Sequence, residues 1–417
     1  MCIARYTSTM NSSDSMDALR RQQQLDQQVH QLCQMAMQNA DRGQLQAARE
    51  LLDRAVQLAP GHALALAYLG RVLHRQGQIE LARTAFDQAV AAMPSAWGPR
   101  FEKAQFLESV GDVRNAALMW RIGLQFMAPE QQADPTLRDL VQRAEAAQAQ
   151  DAEALHEHLW SRTDELRNGE SDKHLRRYLH CLDIATGRRP FVTAQPIHLP
   201  FPELPAIQFF DRTDFAWARD VEAQTDRVVQ ELLAVSAADA EGFVPYVQTR
   251  EGESSGQFDA LDRDDGWSAY FLWNQGVRVD AHCERCPATE AAVAMAPQIQ
   301  VKERAPAVFF SALRPHTKIP PHNGATNARL TVHLPLIIPP DCALQVGDEV
   351  RTWKQGELLI FDDTIRHSAW NRSDQRRVVL IFDIWNPLLS DLEQQLVART
   401  IEGMIDYYGS SNDLGEL

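Results

Sequence analysis

The chain has 417 residues, with 56 acidic against 41 basic side chains and a formal net charge of −15 at neutral pH. That length exceeds what one ordinary core holds and calls for two or three domains. A hydrophobic fraction of 45% excludes wholesale disorder, and the acidic excess repels a phosphate backbone, so nucleic acid is not an expected partner.

The opening stretch MCIARYTSTMNSSDS carries no apolar run after its charged residue, and no segment approaches the ~18 consecutive apolar residues of a spanning helix. No membrane span is expected. Six cysteines are too sparse for a disulfide scaffold, which fits a reducing cytoplasm. Among them only Cys283-Glu-Arg-Cys286 looks paired. Without a second Cys or His pair it reads as structural.

Residues 1–28 form a lead-in, with Gln22 to Gln28 as a solvated helix. A repeat occupies 29–150. Gly43-Gln-Leu-Gln-Ala-Ala, Gly77-Gln-Ile-Glu-Leu-Ala and Gly111-Asp-Val-Arg-Asn-Ala recur at an offset of 34 residues (77 − 43 and 111 − 77). Leu52/Phe86/Trp120 and Ala48/Ala82/Ala116 keep the same offset, and Pro60 and Pro94 close their units. Small residues at fixed columns permit close helix approach, and large ones fill the space between. This segment resembles the tetratricopeptide repeat from about Val29 to Pro129, although Arg100 and Lys103 depart from the pattern in the third unit. The resemblance implies a concave surface that recruits a protein or peptide; a rigid spacer or dimerisation arm is the plainer alternative. Thr136 to Leu155 reads as a capping helix, and 151–195 as a helical linker with a break at Gly187 to Pro190.

From 196 to 417 the pattern changes to proline-rich chain and short strands. Expected strands are Val308–Leu313, Ala328–Ile338, Leu344–Val346, Glu349–Trp353, Glu357–Phe361, His367–Asn371 and Arg377–Ile384. Short strands separated by turns argue for a jelly-roll or cupin-like double-sheet barrel, so the whole chain is a multidomain α + β protein with an α-helical solenoid first. Histidines 316, 322, 333 and 367 fall near strand ends, where two imidazoles from separate strands suit a divalent transition metal.

Ser311-Ala-Leu-Arg-Pro-His-Thr-Lys-Ile-Pro-Pro-His322-Asn-Gly, the stretch to His333, Gly356-Glu-Leu-Leu-Ile-Phe-Asp-Asp-Thr-Ile-Arg-His367, Arg377 and Asp383-Ile-Trp-Asn-Pro387 together resemble the aspartyl/asparaginyl β-hydroxylase family. Gly266-Trp-Ser-Ala-Tyr-Phe-Leu extends the likeness upstream. The resemblance implies a double-stranded β-helix that uses Fe(II), 2-oxoglutarate and O2. It implies His322 and His367 as metal ligands, with Gly324 where related oxygenases carry a carboxylate and a water filling that position. Asp363 would partner the water or His367, while Asp362 reads as a surface-turn carboxylate. Arg377 and Ser311 would grip the distal carboxylate of 2-oxoglutarate, since a guanidinium and a hydroxyl match its oxygens. His333 would contact the cosubstrate, and Arg376 would face solvent. Animal members place a substrate-associated arginine where this chain has Thr331.

The expected activity is hydroxylation of an unactivated carbon, such as the β-carbon of Asp or Asn in a recruited protein. Rivals are a small-molecule or lipid hydroxylase, a halogenase using the room beside Gly324, and a non-catalytic binding scaffold.

Overall fold

The computed structural model describes residues 12–249 and 256–408, so the first eleven residues of the opening stretch, Cys2 among them, lie outside the described residues. Two compact units, Met1–Arg189 and Pro190–Leu417, meet in the Gly187 to Pro190 break.

The first unit is a run of antiparallel helix pairs: α1 (Ser12–Asp41) with α2 (Leu45–Leu58), α3 (Ala63–Arg75) with α4 (Ile79–Ala92), and α5 (Trp97–Ser109) with α6 (Val113–Phe126). α1 passes through Gln22 to Gln28 without a break. Each pair turns at a glycine of the recurring motif; Gly77 sits at φ +75°, a conformation that costs a side chain but not glycine. The recurring large residues fill the seams, with Leu52, Phe86 and Trp120 fully buried. Small residues set how close the helices come. A methyl on Gly123 would lie 2.4 Å from the Phe101 ring.

The charged positions of the third unit do not interrupt α5. Arg100 is buried, its Nη1 donating to the Ala96 carbonyl at 2.9 Å while the guanidinium lies 4.8 Å from the Phe126 ring centre. Lys103 reaches Asp87 at 2.5 Å. Both residues bury aliphatic stems along the helix, although the Arg100 Nε is left buried without a hydrogen-bond partner. A helix from Arg138 to Ser161 follows, held to the array by Arg143, which pairs with Glu108 and lies over the Trp120 indole.

The second unit has twelve described strands: β1 (Phe209–Phe210), β2 (Val244–Pro245), β3 (Trp267–Asn274), β4 (Val277–Arg278), β5 (Val308–Leu313), β6 (Thr317–His322), β7 (Arg329–Ile337), β8 (Cys342–Val346), β9 (Glu349–Thr352), β10 (Leu359–Phe361), β11 (His367–Asn371) and β12 (Arg377–Trp385). One sheet runs β1-β10-β7-β12-β5-β3-β2, with β4 on β3; a second runs β6-β11-β8-β9. All the pairings are antiparallel. β1, β2, β3, β4 and β6 were not among the expected strands.

Both faces of the large sheet are covered. Val378, Leu380 and Phe382 of β12 share a core with Val228 and Leu232 of the helix Thr225–Ala238 and with Val293 of the helix Pro287–Val293. Alternate residues of β12, Arg377, Val379, Ile381 and Asp383, face the other way. The β-strand period thus divides one strand between a helix-covered core and the barrel interior. Cys283 and Cys286 belong to the helix-covered core, and burial pushes their thiols up to about 11 and about 12, away from ready ionisation.

Candidate active site

His322 ends β6 and His367 begins β11, and the ladder sets them directly opposite each other. Their ring centres are 3.9 Å apart. Each Nδ1 faces a backbone carbonyl, Pro320 O at 2.8 Å for His322 and Ile365 O at 3.1 Å for His367. A carbonyl only accepts, so each ring carries its proton on Nδ1 and keeps a lone pair on Nε2. Burial, reinforced by the neighbouring imidazole, lowers the His322 pKa to about 3, and burial lowers that of His367 to about 4. Both are neutral donors at physiological pH.

Beside them, Gly324 and Asp363 fill one space. A Cβ on Gly324 would stand 2.3 Å from the Asp363 carboxyl carbon, and the Gly324 amide donates to the Asp363 carbonyl at 2.8 Å. The Asp363 carboxylate therefore occupies the ground where a side chain at 324 would begin. Its Oδ2 accepts from Arg329 at 3.0 Å, while its Oδ1 is buried without a hydrogen-bond partner. Arg329 also donates to Asp383 at 2.5 Å. Burial opposes the Arg329 charge, but Asp363 and then Asp383 outweigh it and raise the pKa. Asp362 is not a surface carboxylate. It is buried and accepts from the amide and hydroxyl of Thr364 at 2.9 and 2.5 Å, fixing the turn that delivers His367.

Arg377 is 1% exposed. Its Nη1 lies 3.3 Å from the Ser311 carbonyl and 3.5 Å from the Ser311 hydroxyl, and its guanidinium stands 4.8 Å from the Trp353 ring centre. No carboxylate compensates it among the described residues: burial pulls its pKa down to about 10, opposed only by Cys342, and its Nε has no partner. Trp267 Nε1 donates to the Ser311 hydroxyl at 3.0 Å. Trp353 Nε1 lies 3.2 Å from His333 Nδ1. Indole nitrogen only donates, so His333 carries its own proton on Nε2. Burial and then Arg377 hold its pKa well below the usual histidine range.

Ser311, His322, His333, Asp363, His367 and Arg377 all line one cavity of about 120 Å³. His322, His367, Asp363 and Arg329 also line a groove of about 360 Å³, whose remaining wall includes His198, Tyr246, Gln257 and Phe258. The paired imidazoles line both a small chamber with mixed apolar and charged walls and a larger groove. Among the described residues no group of three or more His, Cys, Asp or Glu side chains is arranged to hold a metal, and the two imidazoles are what this site would offer one. His316 lies apart from it, exposed and 2.9 Å from Asp374. Arg376 is exposed, in the turn that precedes β12.

Sequence reasoning passed over Trp267, Arg329, Asp383 and Arg304, which line the cavity, and Trp353, which packs against Arg377 and His333. A strand period of two carried two of them: Arg329 shares a face of β7 with Thr331 and His333, and Asp383 shares a face of β12 with Arg377. Thr331 joins Arg329 and Asp383 through its hydroxyl, 3.4 Å from each.

Residues 222–387 match the family model described as Aspartyl/Asparaginyl beta-hydroxylase, and residues 40–105 match a Tetratricopeptide repeat model. The chain is 32% identical over 200 residues to the ornithine lipid ester-linked acyl 2-hydroxylase of Rhizobium tropici, covering 47% of this chain and 67% of that one. It is 35% identical over 130 residues to human aspartyl/asparaginyl beta-hydroxylase, covering 31% of this chain but only 17% of the human protein. Human aspartate beta-hydroxylase domain-containing protein 2 is 31% identical over 201 residues, covering 46% of this chain and 51% of the relative. With the paired histidines, the buried arginine and the double-sheet barrel already in place, these likenesses assign the chain to the aspartyl/asparaginyl beta-hydroxylase family.

Proposed function

We propose that the protein is an Fe(II)- and 2-oxoglutarate-dependent hydroxylase whose target is held in the groove beside His322 and His367. The observation that carries this reading is Arg377, a buried guanidinium with no acid to balance it among the described residues. An uncompensated buried charge costs several kcal/mol, and such a site repays that cost when it takes an anion. The cosubstrate's distal carboxylate is the fitting partner, with the Ser311 hydroxyl as a further donor. His333 presents its Nε2 proton to another oxygen of the same molecule, and the two Trp indoles fix the acceptor orientations of Ser311 and His333.

Two neutral imidazoles with free Nε2 atoms fit a divalent metal that keeps its other positions for small ligands. Bound iron, with 2-oxoglutarate and O2, supplies the oxidation: the cosubstrate becomes succinate and CO2 while one oxygen atom is inserted into a C–H bond of the target. The chain's part is orientation. Asp363, held by Arg329, offers its unpartnered Oδ1 as acceptor to a water beside the histidines. Because that carboxylate already fills the space at Gly324, there is no room for a halide there, which removes the support for halogenation.

The target is a protein or peptide delivered by the repeats, with an Asp or Asn β-carbon as the point of attack. Acyl-chain hydroxylation is the second reading, favoured by the 67% of the rhizobial lipid hydroxylase that the chain spans. No helix among the described residues is long and apolar enough to cross a membrane.

Anaerobic loading with Fe(II), followed by O2 and 2-oxoglutarate without any target, is expected to release succinate in an iron-dependent way. A folded full-length protein that binds neither iron nor 2-oxoglutarate would overturn the reading in favour of a binding scaffold. A chain beginning at Pro190, once shown to melt cooperatively, is expected to retain this turnover and to lose activity on a repeat-delivered protein. Equal kcat/KM on that protein would end the recruitment role.

Gly324→Asp is expected to displace Asp363 and break its ion pair with Arg329. The result should be weaker iron binding and no gain in hydroxylation, despite the added carboxylate. Equilibrium metal titration checks it; tighter binding with faster turnover would show that the added ligand is accepted.

A further inference from the structure

A second buried cation enters the same cavity and has no role in the reading above. Arg304 is 5% exposed, lines the chamber with Asn274, Gln275 and Ala307, and has two buried nitrogens, Nε and Nη2, without a hydrogen-bond partner. These two atoms form the side-on edge of the guanidinium, whose parallel N–H groups match the two oxygens of one carboxylate. The residue is firmly placed. It belongs to the turn closed by Val301 and Ala305, its own amide donates to the Val301 carbonyl at 3.1 Å, and a Cβ on neighbouring Gly276 would stand 2.9 Å from the Ala305 carbonyl.

Arg304 and Arg377 approach from opposite ends of β5. Arg304 precedes Val308, where the strand begins, while Arg377 pairs with Leu313, where it ends. Five strand steps separate those ends by roughly 16 Å of backbone. A short dicarboxylate gripped at Arg377 therefore leaves the Arg304 edge for a different molecule. Charge points the same way. Arg304, Arg329 and Arg377 face only Asp363 and Asp383 among the acids lining the cavity. A divalent metal and a dianionic cosubstrate cancel each other, leaving one positive charge, which a single carboxylate balances.

We infer that Arg304 binds a monoanionic carboxylate of the target, making it a specificity-determining residue for the hydroxylation. This rests on the hydroxylase reading for the identity of the other ligands, but the anion site itself can be tested separately. The full-length protein loaded with Zn(II) and 2-oxoglutarate, which cannot turn over, would be titrated with N-acetyl-L-aspartate amide and with its neutral analogue N-acetyl-L-asparagine amide. Binding would be followed by saturation-transfer NMR. The acid is expected to bind and the neutral amide not; Arg304→Gln should weaken the acid at least tenfold, with Arg304→Lys falling between. Calorimetric 2-oxoglutarate affinity should change less than twofold in both variants.

Equal binding of acid and amide, no binding of the acid, or undiminished binding in Arg304→Gln would overturn the proposal; should that variant not fold, Arg304→Lys is held to the same comparison. Loss of 2-oxoglutarate affinity parallel to loss of the acid would assign Arg304 to the cosubstrate instead, and overturn it as well. Inorganic phosphate that binds through Arg304 while the acid does not would make the site a phosphate site and overturn the carboxylate assignment. If wild type binds no 2-oxoglutarate yet binds the acid through Arg304, the hydroxylase reading fails and the anion site stands.

Discussion

Arg377→Ala is expected to weaken 2-oxoglutarate binding by about 30- to 1000-fold, equivalent to ~2–4 kcal/mol for a buried charge-assisted contact. Iron binding should hardly change, because both imidazoles and their carbonyl partners remain. The same residue makes a second expectation that a purely structural arginine would not meet. Since no acid among the described residues balances it, Arg377→Met should leave the melting temperature unchanged or raise it in the absence of 2-oxoglutarate, while abolishing the stabilisation that 2-oxoglutarate gives the wild type. Calorimetric titration of iron-loaded protein under anaerobic conditions, paired with a melt series, measures both. Unchanged cosubstrate affinity in a folded variant would remove Arg377 from the site.

His322→Ala and His367→Ala should each reduce iron affinity by more than about 100-fold, the upper end of what loss of a mere supporting contact to a ligand costs. Succinate release should fall with it. With only two imidazoles in the donor set, neither loss is covered by another side chain among the described residues. Metal content after equilibrium dialysis is the direct measurement. Asp363→Asn is the informative comparison, since it keeps both imidazoles and should fall between these variants and wild type. Wild-type metal content in both histidine variants would show that the metal sits elsewhere.

The repeats were legible because their physics is periodic. A turn glycine, a small interface residue and a large filler return at one spacing, and each pair needs only its neighbours. The departures at Arg100 and Lys103 looked like breaks only because side-chain heads are counted as polar, whereas the helix uses their stems. In the second unit, β5, β10, β11 and the core of β7 were readable from strand period and turns. β3 was not read as a strand, although Gly266-Trp-Ser-Ala-Tyr-Phe-Leu carries its sequence; with both faces covered, its residues lose the apolar–polar alternation that marks a half-exposed strand. The same cause hid Arg329 and Asp383, whose charges cancel across two strands and leave no local pattern in either. The histidines and Arg377 were accessible because the family motif fixes their spacing. Arg304 was not: a lone arginine beside Glu303 in a turn looks solvated until the fold closes over it.

The direct cross-strand pairing of His322 with His367 makes their separation a property of the β6–β11 ladder, and not of the long chain between them. The turn joining β7 to β8 is therefore free to lengthen or shorten over evolutionary time without moving one imidazole relative to the other, whereas the β9–β10 connection holds Trp353 against His333 and Arg377. A slip of one residue in the ladder is different in kind, because it turns one ring to the opposite face of the sheet. The spacing of the imidazole pair is thus protected against insertions in turns that carry no site residue and exposed to register errors, so variants that redirect specificity should accumulate in those turns while the two facing strands keep their phase.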